Sequence, residues 1–145
     1  MHRLASCQEK IIFDRLEKDR DDPGCRLSYV FLVNGDIVAR ELDDALKTLI
    51  ECYYPVALSA FVGKDSGVHV YPGAMPENVL EYVESNAPGG APRDSLPPDN
   101  RLFRFTLTRL SAQVHHLRLT FSHLIFDGVC YGIFCRLLGR LYGQR

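Results

Sequence analysis

Apolar residues recur along the chain with two different periods, and the switches between them mark out its elements. Ile11, Ile12 and Leu16 stand at helical spacing behind Ser6-Cys-Gln-Glu9. In that pattern a hydroxyl and a carboxylate satisfy the unpaired amides of a helix start, so a first helix is expected to run to Lys18. The polar turn Asp19-Arg-Asp-Asp-Pro-Gly24 follows. Residues 27–33, rich in β-branched and aromatic side chains, read as a strand closed by Asn34-Gly35. Beyond it Val38, Leu42, Ala45, Leu46, Leu49 and Tyr53 recur at three and four, which places a helix over 37–53 with one face on a core. Pro55 stops that helix. Residues 57–62 and 68–71 read as two strands around Lys64-Asp-Ser-Gly67, and 76–85, with Pro76 suited to a first turn, reads as a short helix.

Residues 86–100 hold four prolines and two glycines among small and polar side chains, too little apolar surface to order the stretch by itself. An exposed loop inside a single domain, 1–145, is expected there. Phe103, Phe105 and Leu107 then alternate with Arg104, Thr106 and Thr108. Leu117, Leu119 and Phe121 alternate with His116, Arg118 and Thr120. These are two strands of a hairpin turning at Ser111-Ala112. Ile133, Phe134, Leu137, Leu138, Leu141 and Tyr142 form one stripe of a last helix over 129–142. The order αβαββ(α)ββα, without internal repeats, defines an α+β protein.

Composition narrows the function classes. Hydrophobic residues make up 46% of the chain and charged residues 24%, near the soluble average, and the net charge is −1 with both signs interspersed. No basic block offers a footprint for nucleic acid or anionic lipid, and no apolar run is long enough for a bilayer span. The polar start lacks a secretory core, so a cytoplasmic location is expected. Five cysteines, Cys7, Cys25, Cys52, Cys130 and Cys135, form no CxxC pair, which points to reduced thiols and away from a zinc site. His115-His116 reads as an edge-of-sheet pair and Tyr53-Tyr54 as packing at a helix end.

Chemistry concentrates in Ser122-His-Leu-Ile-Phe-Asp-Gly128, between the last strand and the last helix. By the strand's period of two, His123 shares the face of Leu117, Leu119 and Phe121 and leaves the sheet inward, where burial would hold it neutral and able to accept a proton. Asp127, at the corner, is suited to cap the helix or to pair with a distant arginine. Gly128 supplies backbone freedom or close approach. A merely structural corner histidine is the competing reading.

The run resembles the HHxxxDG hallmark of non-ribosomal peptide synthetase condensation domains and related CoA-dependent acyltransferases of the chloramphenicol acetyltransferase-like fold. The hallmark's second histidine falls on His123, its aspartate on Asp127, its glycine on Gly128, and Ser122 stands at the first histidine. Leu102-Phe-Arg-Phe resembles the family's strand entry, and the last helix ends in a similar Leu-Leu-x-x-Leu-Tyr run. Residues 4–16, 29–35 and 42–61 resemble its opening helix, first strand and second stretch. In that stretch Cys52, Tyr53 and Ser59 replace arginines and a histidine.

The resemblance covers the chain but only the N-terminal half of the family's fold. It implies a two-layer α/β sandwich, with a mixed, mainly antiparallel sheet and helices on one face. It also implies acyl transfer from a thioester to an amine or hydroxyl in natural-product biosynthesis, with His123 as catalytic base and Ser122, Asp127 and Gly128 supporting it. The thioester would be carried by phosphopantetheine on a carrier protein or by CoA, with no tightly bound cofactor and no metal. The missing half would come from a C-terminal continuation, a partner chain or a homo-oligomer. A non-catalytic docking module for a carrier protein or tailoring enzyme is the alternative.

Overall fold

A computed structural model describes residues 11, 12, 14, 15, 18, 22–58, 60–64, 67–71, 73–85, 95–97 and 101–144. Six strands and two long helices are described: β1 (Arg26–Asn34), α1 (Ala39–Tyr53), β2 (Ala60–Lys64), β3 (Gly67–Tyr71), β4 (Leu80–Glu84), β5 (Phe103–Ser111), β6 (Val114–Ser122) and α2 (Gly128–Gly143). Four strands form one sheet in the order β1-β6-β5-β4, and β2 pairs with β3 in a separate hairpin. β4 runs parallel to β5, whereas β1–β6 and β5–β6 are antiparallel. The sheet is therefore mixed and mainly antiparallel, as expected.

Register turns the alternation of the sequence into a face. Leu27, Phe121 and Phe103 lie side by side across three strands, as do Tyr29, Leu119 and Phe105, and Phe31, Leu117 and Leu107. This apolar face packs against Leu42, Ala45, Leu46, Leu49 and Ile50 of α1 and Phe134 and Leu138 of α2 in one core. Each wholly buried Leu or Phe there contributes roughly 1.5–3 kcal/mol. The helices are tied at both ends and so run antiparallel. The Val38 amide, left without a partner by the start of α1, donates to the Tyr142 hydroxyl (3.1 Å), and the Tyr54 hydroxyl donates to the Cys130 carbonyl (3.4 Å).

Several expectations are corrected. Residues 80–84 are strand, not helix: Asp43, buried on α1, accepts the amides of Val79 and Leu80, both at 2.8 Å, and β4 then completes its backbone bonding against β5. His115 is not at an edge; it lies buried in β6 between Val33 of β1 and Arg109 of β5. The apolar stripes are narrower than their periods suggested, since Val38, Tyr53 and Ile133 are each about half exposed. Within the expected loop 86–100, Pro97 is buried and Ser95 accepts from Arg104. Of the expected first helix, Ile11, Ile12, Asp14, Arg15 and Lys18 are helical; its Ser6–Glu9 cap lies outside the described residues.

Candidate functional site

The segment from Ser122 to Gly128 is held by what it buries. Ser122 ends β6 wholly buried, its amide donates to the Leu102 carbonyl (2.7 Å), and its hydroxyl accepts from the Leu124 amide (3.3 Å). The Ile125 amide closes a turn on the Ser122 carbonyl (3.2 Å). Leu124 and Phe126 point into the protein, and the Phe126 ring stacks on Phe121 at 3.7 Å with 2° between planes. Residues 122, 124 and 126 are therefore anchors, and His123 and Asp127 between and beyond them keep contact with solvent.

His123 is partly exposed rather than buried. Its period-two placement fails because β6 ends at Ser122 and the next residue already belongs to the turn. Its backbone is fixed: the His123 amide donates 2.8 Å to the carbonyl of Cys25, the wholly buried last residue of a 3-10 turn (Pro23–Cys25). Asp22 caps that turn through the Gly24 amide (2.8 Å) and pairs with the Arg15 guanidinium (2.8 and 3.0 Å). The Gly24 amide and Arg15 together hold the Asp22 carboxyl below its ordinary value. Spacing offered no signal for this support, because Cys25 acts through its carbonyl. No side chain among the described residues hydrogen-bonds the His123 imidazole.

Asp127 is the N-cap of α2, its carboxylate accepting the Cys130 amide at 2.8 Å, which is one of the two roles expected of it. The Cys130 amide and then the Cys130 thiol, with lesser help from the Val129 amide and the neighbouring His123, hold the carboxyl below its ordinary value against the opposing effect of desolvation. Of the two roles expected of Gly128, backbone freedom is not used: it opens α2 without a left-handed backbone, and a Cβ there would meet open space. Behind this corner, burial pushes the thiols of Cys130 and Cys135 and the Tyr54 hydroxyl up. Among the described residues no group of three or more His, Cys, Asp or Glu could hold a metal ion, and no helix is long and apolar enough to cross a membrane.

A four-stranded mixed sheet with two helices packed on one face is the architecture of one part of the chloramphenicol acetyltransferase-like fold. The particular likeness is to condensation domains. The starter condensation domain of rhizomide synthetase RzmA superposes with a TM-score of 0.73 at 16% identity, over 96% of this chain and 36% of its own. The first condensation domain of the CDA synthetase superposes at 0.71 and 16% identity, over 94% of this chain and 39% of its own. In sequence, surfactin synthase subunit 2 of Bacillus subtilis (strain 168) is 28% identical over 149 residues, which is 98% of this chain and 4% of that protein. The chain thus spans little more than a third of the solved domains. No family model matches it.

Proposed function

We propose that this chain supplies the histidine-bearing part of a condensation site, transferring a thioester-bound acyl or aminoacyl group to an amine or hydroxyl in natural-product biosynthesis. The observation that carries this reading is His123: an imidazole reachable from solvent, on a backbone held by β6 and the Cys25 carbonyl, one turn from a capped helix start. His123 takes the proton of the acceptor as it attacks the thioester carbon. The new C–N or C–O bond forms, the C–S bond breaks, and the proton passes to the departing thiolate. Asp127 holds the corner by capping α2, Ser122 locks the turn from below, and the open space at Gly128 leaves room for a substrate to approach. One solved relative is a complex of the RzmA starter domain with C8-CoA, which supports a CoA or carrier-bound phosphopantetheine thioester as donor. The rest of the site, including groups that stabilise the oxyanion, would come from a continuation of the chain, a partner chain or a second copy.

One observation favours a second reading, a docking module for a carrier protein. The imidazole has no hydrogen-bonded partner among the described residues, so none of them sets its tautomer. Turnover of acyl-CoA and acyl-carrier thioesters decides between the two, measured with the chain joined to its continuation or mixed with a partner. His123→Ala is expected to lower the rate about 100- to 10,000-fold while leaving carrier binding intact. Equal rates in both proteins would sink the base assignment, and carrier binding without turnover in either would establish the docking reading.

A further inference from the structure

β1 is an edge strand: β6 covers one side of it, and among the described residues no backbone hydrogen bond reaches the other. Such an edge is a template for another strand, and natural edges are usually blunted by a lysine, a proline or a bulge. Residues 27–33, Leu-Ser-Tyr-Val-Phe-Leu-Val, hold no charge and no proline, and the β1–β6 register runs unbroken from Arg26 to Asn34. Two further features meet at this strand. On its outer face Val30 and Leu32 are 49% and 61% exposed. On its inner side an apolar pocket of about 480 Å³ reaches Phe31, Leu32 and Val33 from Leu138 and Tyr142 of α2.

We propose that β1 pairs antiparallel with β1 of a second copy of this chain, joining two four-stranded sheets across a two-fold axis. Over residues 27–33 the outer backbone ladder meets no partner among the described residues, and such a ladder selects an extended strand as the occupant rather than a helix or a small molecule. The strand's own pattern selects a second copy. A register centred on Phe31 sets Leu32 against Val30 of the other copy, twice by symmetry, and Val33 against its Tyr29. Every exposed apolar side chain of the strand then meets another, with no charge opposed, and the second strand's inward side chains lie beside the pocket. The pairing stands without the acyl-transfer reading.

Sedimentation equilibrium of the full chain and of the double variant V30K/L32K tests it, together with amide hydrogen exchange of the unmodified protein at two concentrations. The expected result is a dimer whose average mass falls about twofold in the variant, at unchanged circular dichroism, because both changed side chains are already exposed. Amides of residues 27–33 should exchange more slowly at the higher concentration, a readout that does not depend on the variant folding. A monomer at every concentration overturns the proposal. So does a dimer that survives V30K/L32K but is broken by V129K/I133K, which would place the interface on α2, or concentration-independent exchange in β1.

Discussion

His123 follows the last ladder pair of β6 by one residue, and that single step decides its surroundings. Up to Ser122, opposite Arg26, side chains alternate strictly; at 123 the chain enters a turn and the rule lapses. The residues around it are held by their backbone bonds. Asp127 titrates below its ordinary value of 3.8 because the folded state gives its carboxylate amide donors, so the unfolded chain binds the proton more readily. Its contribution is present in full above that ordinary value and is lost as pH falls through it toward the folded value. Asp127→Asn keeps the cap acceptor but does not titrate, so thermal melts between about pH 6 and about pH 3 should show a smaller acid-induced loss than in the unmodified protein. A parallel loss in both would refute the assignment. Gly128→Ala is expected to leave stability within about 1 kcal/mol, since neither φ nor space requires glycine, while lowering turnover if substrate approaches there. Denaturant unfolding and acyl-transfer rates, measured together, separate the two effects.

At the scale of elements, α1, the β5–β6 hairpin and α2 were legible because each has a period sustained long enough to identify it. Residues 76–85 were not. Val79, Leu80 and Val83 fit a helix or a strand equally over so short a run, and the decision came from Asp43, 36 positions from Val79. That carboxylate is buried, binds two amides and pairs with Lys47 at 2.7 Å. Asp43→Ala would leave two buried amides without an acceptor and is expected to cost about 2 kcal/mol or more, with β4 amides losing hydrogen-exchange protection before the rest of the sheet. Uniform loss across the sheet would show that Asp43 does not act specifically on β4. The exposure of Val38, Tyr53 and Ile133 has a comparable origin: a period names a stripe, but the width that is covered depends on the neighbouring element.

For the whole molecule, the likeness to solved condensation domains extends over nearly all of this chain and little more than a third of theirs. Two surfaces of the chain carry the proposals. One is the solvent-facing side of the corner that bears His123, Asp127 and Gly128, to which the proposed acyl transfer assigns the substrate. The other is the uncharged edge of β1, which would carry a second copy. The loss of turnover in His123→Ala and the loss of dimer in V30K/L32K are independent measurements, because one changes a side chain in the turn after β6 and the other changes the exposed face of β1.

The sequence by itself determined the α+β class, the hairpin, the two long helices and the run that carries the candidate chemistry. All of these rest on local periods and on residues close together in the chain. Only the tertiary structure decided that β4 is a strand, that His115 sits in a central strand, and that His123 stays open to solvent on a backbone held by Cys25. Each of those depends on a partner distant in sequence, Asp43 for β4, β1 and β5 for His115, and the Pro23–Cys25 turn for His123. Hydrogen bonds between such partners form only when the chain is folded, so no local pattern encodes them.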